Sequence, residues 1–398
     1  MSLTNKLRQF VPQQNRATPS PNPPADLDLV LQGQEVFTPF GACYVVQKNL
    51  PLQKKHGFWR IGNGLEVESH NLKVLGQEPP EDFKVEDALF LDTETTGLSG
   101  GTGTYAFLIG TGRFISTHFV VKQFLMRDYN EELAVLYLVD QELQKNDTVI
   151  SFNGKTFDLP LLHTRFTISR LGFQGAQNHH HLDLLHMARK LWRKKLESCS
   201  LNSLEANILG INRTNDIPGF EIPGRYFQFL QTRQGELLQD ILQHNVIDIV
   251  SMAILLYRLT LTTELSPEEC DCPWEAEALA QIALSRGDHQ QAISYLEAAR
   301  QLCTETEQEI SILHQNALIH KRQAQYDQAS ALWRRILMLN EDDLVAYEEL
   351  AKFYEHKAKD LGAADQLTRR ALAVAWQTKS PKIPALEHRL SRIERKLG

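Results

Sequence analysis

The stretch LFLDTETTGL, residues 89–98, combines an apolar strand pattern with two acidic residues, Asp92 and Glu94, just before a turn. Side chains two positions apart on a strand point to the same face of the sheet. Two carboxylates on one face of a buried strand end repel each other, and a cation between them relieves that repulsion. The pattern therefore indicates a cation site at this strand end, with a solvated strand end as the alternative.

Two later segments also place acidic residues beside apolar patterns. In SFNGKTFDLPLL, residues 151–162, a strand runs into a turn and Asp158 opens a helix, where it either joins a site or only caps that helix. In QHNVIDIVSM, residues 243–252, His244 and Asp248 are four positions apart on one helix face. Asp248 has apolar neighbours, and a buried carboxylate is destabilising unless it is paired or bound to metal.

The elements around these segments predict a mixed sheet covered by helices. Three strand-like runs follow one another between residues 88 and 126, as ALFLD, YAFLIG and FISTHFVVKQFLM, and predict an antiparallel meander. A short hairpin over residues 35–46 is predicted ahead of this domain. The other predicted elements are a strand over 148–152 and helices over 131–143, 159–166, 184–195, 201–208 and 235–261. Strands followed by alternating helices and strands are typical of an α/β domain.

The carboxyl-terminal part changes character after Pro267, where alanine-rich helical patterns replace the strand signals. Ala292, Ala329 and Ala364 recur at intervals of 37 and 35 residues, close to the 34-residue period of tetratricopeptide repeats. A larger side chain follows each alanine four positions later: Leu296, Trp333 and Thr368. We predict an all-α tetratricopeptide-like solenoid, with an unrelated helical bundle as the alternative.

The composition divides the 398 residues into several parts and excludes some classes of protein. A formal charge of −7 excludes a polycation that holds nucleic acid by bulk charge, so a nucleic-acid site must be local. No signal sequence or membrane span is predicted, and five scattered cysteines indicate reduced thiols, so we expect a cytoplasmic protein without a membrane partner. The predicted parts are a disordered proline-rich leader (1–25), an amino-terminal extension (26–84), the α/β domain (85–262) and the helical repeats (272–398).

Taken together, the three acidic segments resemble the motifs of the DEDD superfamily of 3′–5′ exonucleases. Residues 89–259 are most similar to the bacterial YprB-type ribonuclease H-like domain family. The motifs that carry this resemblance are GLSGGTGTYAFLIGTG, NGKTFDLPLL, LDLLHMARKLW, CSLNSLE, DIPG and HNVIDIVSM. The resemblance implies a ribonuclease H-like fold and two Mg²⁺ or Mn²⁺ ions bound by the four acids Asp92, Glu94, Asp158 and Asp248.

The resemblance also implies a role for each of these side chains. Asp92 would bridge the two ions, Glu94 and Asp158 would complete their ligand shell, and Asp248 would hold the ion that activates water. His244 would orient or deprotonate that water. In one DEDD branch a tyrosine precedes the last acid by four residues, and in the other a histidine precedes it by five. His244 has the residue type of one branch at the spacing of the other, so a structural histidine is the alternative.

Several residues outside the acidic set are candidates for contacts with a nucleic-acid strand. The stretch ARKLWRKK, residues 188–195, is a basic stripe with an aromatic side chain, which suits the phosphates and bases of a single strand. The alternative is a solvated helix face with its tryptophan in the core. The candidate substrate-binding residues are Thr95, Asn153, Arg165, Trp192, Lys194 and Lys195.

We therefore predict a divalent-metal-dependent 3′–5′ exonuclease that hydrolyses single-stranded DNA or RNA, with helical repeats that bind a protein partner. One alternative is a catalytically weak or inactive nucleic-acid-binding scaffold. Another makes the repeat solenoid the main functional part. The sequence does not select DNA over RNA, since no element demonstrably contacts a sugar 2′-hydroxyl.

Overall fold

The computed structural model describes residues 27–97, 102–170 and 179–397, so the predicted leader lies outside the described residues. The chain forms two compact units that interleave along the sequence. The first unit comprises described residues of 1–66, 79–184 and 208–255, and the second comprises those of 67–78, 185–207 and 256–398. This division differs from the contiguous parts expected from the sequence, because residues 185–207 belong with the carboxyl-terminal helices.

The strands are, in chain order, β1 (Gln34–Thr38), β2 (Gly41–Pro51), β3 (Lys55–His56), β4 (Trp59–Arg60), β5 (Ala88–Thr95), β6 (Ala106–Ile115), β7 (His118–Leu125), β8 (Thr148–Ser151) and β9 (His180–Asp183). Within the described residues, seven of them form one mixed sheet in the order β1-β2-β7-β6-β5-β8-β9, while β3 and β4 form a separate pair. β5, β6 and β7 are antiparallel neighbours, which confirms the predicted meander, whereas β8 and β9 run parallel to β5.

The predicted hairpin over residues 35–46 is confirmed as β1 and β2. Its position differs from the expectation, because β2 pairs with β7 along eight residues and so extends the main sheet rather than preceding it. A continuous apolar run in β2 makes this possible, since Cys43 to Val46 are all buried and the strand is therefore covered on both faces.

The α-helices up to residue 264 are α1 (Leu27–Leu31), α2 (Ser69–Val74), α3 (Glu132–Leu143), α4 (Asp158–Ser169), α5 (Leu184–Trp192), α6 (Leu201–Leu204), α7 (Ile222–Thr232) and α8 (Glu236–Glu264). These agree with the predicted helices except at their ends and in three additions, α1, α2 and α7. α5 ends three residues earlier than expected, and α6 continues as a π-helix over Glu205–Leu209.

Helix α8 approaches the sheet closely because β6 carries glycine where the helix crosses it. A Cβ atom at Gly110 would lie 2.1 Å from Asn245 Oδ1, and one at Gly112 would lie 2.4 Å from Ile249 Cγ2. Gly110 is also the register partner of Asp92 on β5. Small residues on β6 thus let α8 bring its polar side chains next to the acidic end of β5.

Helix α8 has the length and hydropathy of a membrane span, the one such helix among the described residues. Two thirds of its apolar window, 67 %, is buried inside the fold. A core helix of a globular domain has the same properties, because its apolar residues are covered on most sides.

The second unit is helical after residue 272, as expected. The α-helices of this stretch are α9 (Pro273–Ser285), α10 (His289–Leu302), α11 (Thr306–Arg322), α12 (Tyr326–Leu339), α13 (Leu344–Phe353), α14 (Leu361–Gln377) and α15 (Ile383–Leu397). Ala292, Ala329 and Ala364 lie near the starts of α10, α12 and α14, and each is fully buried. The small side chains therefore occupy the close contacts between neighbouring helices.

Gly110→Ala tests the close approach of α8 to β6. The added methyl group would overlap Asn245 and Ile249, and overpacking of this kind costs roughly 1–3 kcal/mol, so we expect a lower melting temperature. Gly224→Ala is the control for an added methyl group that overlaps nothing, because nothing lies within 4 Å of its Cβ position, and in helix α7 alanine should keep or raise the melting temperature. Calorimetry would contradict this packing if Gly110→Ala melted at or above the wild-type temperature.

Candidate functional site

The site begins at the carboxyl-terminal end of β5. Residues 88–91 of this strand are fully buried between β6 and β8, and the strand becomes half-buried from Asp92 onwards. A register shift against β6 follows Glu94 and leads into Thr95, whose Oγ1 donates a hydrogen bond of 2.7 Å to the Gly97 carbonyl. The buried strand therefore delivers two acidic side chains to the point where the sheet opens.

Asp158 is buried at the first position of α4. Thr93 Oγ1, on β5 between the two acids, donates a hydrogen bond of 2.5 Å to Asp158 Oδ1. A Cβ atom at Gly154 would lie 2.3 Å from Ser151 Oγ and 3.1 Å from Asp158 Oδ2, so glycine is needed for the turn before α4 to fit. Asp158 thus lies close enough for its charge to act on Asp92 and Glu94, and its role as a site residue stays a prediction.

The turn between β8 and α4 is held from β9 by Asp183. Its carboxylate accepts hydrogen bonds from the backbone N–H groups of Asn153, at 2.8 Å, and Lys155, at 3.2 Å. Asn153 has a left-handed backbone with φ of 63°, a conformation that asparagine tolerates better than most residues. Asn153 therefore helps to set the turn that presents Asp158, and its predicted contact with substrate stays a prediction, as does that of Thr95.

Asn245 links α8 to the acidic strand end. Its side chain is fully buried, and Nδ2 donates a hydrogen bond of 2.8 Å to Asp92 Oδ2. Its Oδ1 accepts one of 2.8 Å from Gln123 Nε2 on β7, and Gln123 also donates to the Leu242 carbonyl. Because both ends of the amide are engaged, Asn245 fixes the orientation of the Asp92 carboxylate.

A second group of contacts surrounds Asp248 and involves Arg213, Asp216 and His244. Arg213 Nη2 donates to Asp248 Oδ1, while its Nη1 donates to Asp216 Oδ2 at 2.9 Å. His244 Nδ1 lies 2.9 Å from both Asp216 oxygens, and its Nε2 lies 3.6 Å from Asp248 Oδ2. One arginine and one histidine thus connect the last predicted acid to a fifth carboxylate.

The pKa values of Asp92 and Glu94 both depend on the charges of the other predicted acids. Burial, then the charges of Asp248, Glu94 and Asp158, raise the pKa of Asp92, against the hydrogen bond from Asn245. Burial, then Asp248 and Asp158, raise the pKa of Glu94 well above its usual range, although Arg213 opposes the effect. Carboxylates raise each other's pKa in this way only when they lie close together.

The environments of Asp158 and Asp216 shift the pKa values of the two carboxyl groups in opposite directions. Burial raises the pKa of Asp158 to about 6, although the hydrogen bond from Thr93 opposes it. Burial also acts to raise the pKa of Asp216, but the hydrogen bonds from Arg213 and His244 outweigh it and hold that pKa below its ordinary value. Asp216 is therefore ionised through its partners, while Asp158 retains its proton more readily.

The donor chemistry of the four acids fits hard divalent cations, which prefer carboxylate oxygens. Among the described residues, however, no three His, Cys, Asp or Glu side chains are arranged as a ready metal-binding group. Arg213 engages Asp248, and Thr93 engages Asp158. A cation would therefore relieve the repulsion among the acids. One oxygen of Asp248 and one of Asp158 already accept hydrogen bonds from protein donors.

Arg165 does not lie at this site as a phosphate contact. Its guanidinium is 3 % exposed and forms two hydrogen bonds with the Glu132 carboxylate, at 2.5 Å and 2.7 Å. It also donates to the Thr102 carbonyl and stacks over the Tyr105 ring, 3.9 Å from its centroid. This corrects the predicted role, because a buried arginine with these partners stabilises the fold and has no donor aimed at solvent.

The basic stripe over residues 188–195 also needs correction. Trp192 is 0 % exposed, and its Nε1 donates a hydrogen bond of 2.9 Å to Glu275, so it is unavailable for base stacking. Lys195 forms an ion pair of 2.9 Å with Glu275, and Lys194 pairs with Glu277. These lysines neutralise two buried glutamates of the second unit, which is the core alternative considered from the sequence.

Three residues of the site have no assigned role from the sequence: Arg213, Asp216 and Asn245. Asp216 begins the DIPG motif, which marked the segment without identifying a chemical function. Asn245 is three residues before Asp248, and this helical spacing would have placed it on the same side of α8. Arg213 gives no comparable signal, because the segment 211–218 has no regular secondary structure.

Comparison with known proteins agrees with the geometry. A family model of the RNase_H superfamily matches residues 89–260. Over 367 residues, the chain is 31 % identical to a Bacillus subtilis (strain 168) protein named "Uncharacterized protein YprB". The match covers 89 % of this chain and 86 % of that protein.

Asp158→Asn is expected to stabilise the metal-free protein at pH 8. The folded-state pKa of about 6 exceeds the ordinary value of 3.8, so the free energy of unfolding falls as pH rises from about 4 to about 6. Asparagine lacks the charge and keeps an acceptor for Thr93, so we expect a gain of about 1–3 kcal/mol above this window and none below it.

Denaturant unfolding in EDTA at pH 8 and pH 4 would measure this difference. Asp240→Asn is the matched control, because this acid is exposed and forms only a 3.5 Å ion pair with Arg225. Equal stability of Asp158→Asn and the wild type at pH 8 would contradict the cost of burying an ionised Asp158.

Proposed function

Because the chain belongs to the family of the Bacillus subtilis protein YprB and carries an RNase_H superfamily domain, we propose that it is a divalent-metal-dependent nuclease. The observation that carries this proposal is the mutual electrostatic interaction of Asp92, Glu94, Asp158 and Asp248 at one end of the sheet. We further propose 3′–5′ exonuclease activity on single-stranded DNA or RNA. A cytoplasmic location stays part of the proposal.

Two Mg²⁺ or Mn²⁺ ions would be held by Asp92, Glu94, Asp158 and Asp248. When bound, such a pair supplies an activated water and neutralises charge on the leaving oxygen. The proposal is supported by the raised pKa values of Asp92, Glu94 and Asp158, since a cation favours the ionised form that burial and repulsion oppose.

The other residues of the site have supporting tasks in this proposal. Asn245 fixes the Asp92 carboxylate through its hydrogen bond, and Thr93 does the same for Asp158. His244 would accept a proton from the attacking water, because its Nε2 lies on the side of Asp248. Arg213 donates a hydrogen bond to Asp248, and its positive charge would balance negative charge in the site before and during hydrolysis.

A single strand is the proposed substrate because binding must be local. The chain has a formal charge of −7, which disfavours contact along an extended duplex through bulk charge. Exposed aromatic side chains on the elements of the site, Phe157 and Phe220, offer stacking surfaces of the kind that hold unpaired bases. These residues take the place of Trp192 as candidate stacking contacts.

The carboxyl-terminal helices are proposed to be tetratricopeptide-like repeats that bind a protein partner. Support comes from the three buried alanines at near-constant spacing and from a groove of about 780 Å³ on this unit. The groove is lined by apolar and basic side chains, including Leu337, Met338, Tyr347, Arg334, Arg369 and Arg370. Met338, which is 77 % exposed, adds an accessible apolar side chain to this groove.

Incubation of the purified chain with 5′-end-labelled single strands and Mn²⁺ tests the proposed activity. We expect a ladder of products shortened from the 3′ end, and no cleavage of a circular single strand. Internal cuts in the circle would indicate an endonuclease, and the absence of products from both substrates would favour a binding scaffold.

Asp92→Asn and Asp248→Asn are each expected to reduce hydrolysis to the metal-free background, because each removes a charged ligand from the site. Asp240→Asn, an exposed acid on the same helix as Asp248, should retain wild-type activity. Titration calorimetry with Mn²⁺ should show weaker binding for the two site variants. Full hydrolysis by Asp92→Asn would refute the proposed metal site.

A further inference from the structure

The ring of His244 has a carboxylate beside each of its nitrogens, and only the one at Nδ1 is within hydrogen-bonding distance. Nδ1 lies 2.9 Å from each oxygen of Asp216, and Nε2 lies 3.6 Å from Asp248 Oδ2. Arg213 Nη1 also lies 3.3 Å from Nδ1, farther than the two Asp216 oxygens. Because the closer carboxylate can only accept, it favours a proton on Nδ1 and leaves the lone pair of a neutral imidazole on Nε2. The contact with Asp216 therefore sets both the rotation of the ring and the tautomer.

The Asp216 carboxylate is itself fixed. Arg213 Nη1 donates a hydrogen bond of 2.9 Å to Asp216 Oδ2, and the other Arg213 amino group engages Asp248. The side chains of Arg213 and Asp216 are 8 % and 14 % exposed, so the contacts are largely shielded from water. Asp216 is thus locked between a histidine and an arginine that both face Asp248.

Nε2 of His244 and Oδ2 of Asp248 are close enough for one water to contact both. At 3.6 Å, Nε2 and Oδ2 are too far apart for a direct hydrogen bond, yet a single water can contact both atoms. A basic Nε2 at this position can accept the proton of such a water only in the tautomer that Asp216 selects.

We propose that Asp216 is a positioning residue for hydrolysis, which holds His244 with its basic Nε2 directed at the water beside Asp248. This inference rests on the proposed function, since it assigns Asp216 a role in that same reaction. In this role Asp216 acts through His244, while its charge also raises the pKa of Glu94.

Asp216→Asn is the main test, because an asparagine amide has nearly the same shape but also presents N–H donors to Nδ1 and so permits the other tautomer. We expect kcat on labelled single strands to fall by about 10²-fold or more, as when a carboxylate behind a catalytic histidine is replaced by its amide. KM should change less than threefold, and Mn²⁺ binding should be retained. Asp216→Glu should recover part of the loss, because it restores an acceptor.

Two further measurements separate positioning from a general structural role. ¹⁵N NMR at pH 8 should find the proton of His244 on Nδ1 in the wild type and partly on Nε2 in Asp216→Asn. The double variant Asp216→Asn with His244→Gln should be no slower than His244→Gln alone, because residues that act through one another have non-additive effects. Asp240→Asn serves as the control in each measurement.

Three results would overturn the inference: unchanged kcat in Asp216→Asn, additive losses in the double variant, or an Nδ1 proton retained in a slow Asp216→Asn enzyme. A wild-type chain without any hydrolysis would overturn the proposed function itself and with it this role. That outcome is distinguishable, because all variants would then be equally inactive while the ¹⁵N spectra still reported the tautomer.

Discussion

The repulsion between carboxylates at the end of β5 is the constraint on which the surrounding structure depends. Asp92 and Glu94 are half-buried, and the charges of Asp248 and Asp158 raise the pKa of both. The fold partly offsets this cost with neutral donors and with one cation, Arg213. The raised pKa values show that the compensation is incomplete, so the site is less stable than an apolar alternative, as expected for a functional site that trades stability for chemistry.

The backbone that assembles these groups depends on how closely α8 approaches β6. Gly110 and Gly112 have no side chains, and Asn245 and Ile249 occupy the space that a Cβ atom would need. Since Asn245 then reaches Asp92, one close helix-sheet contact positions the central acid and brings Asp248 to the same edge. The chemistry therefore depends on residues of β6 that carry no functional group.

The sequence predicted the parts of the fold and site that follow from local pattern. The mixed sheet and the helical carboxyl-terminal region come from periodicity, and the four acids come from short motifs on a strand end and two helices. The basic stripe was harder, because lysines that face phosphates and lysines that face buried glutamates have the same local pattern. The partner of Lys195, Glu275, lies 80 residues away in the chain, and only the folded unit shows which pairing occurs.

The spacing of His244 and Asp248 in the sequence does not determine how the histidine ring is oriented, whereas the structure does. Four residues of an α-helix turn through about 400°, so His244 and Asp248 stack on one face, one turn apart. This stacking alone would let the ring rotate, and the chemistry of its two nitrogens would stay undefined. The orientation of the ring is determined by a contact from outside the helix. It comes from Asp216, which lies 28 residues earlier in an irregular segment. For the proposed hydrolysis, a carboxylate from another segment therefore fixes the ring orientation that the four-residue spacing leaves undefined.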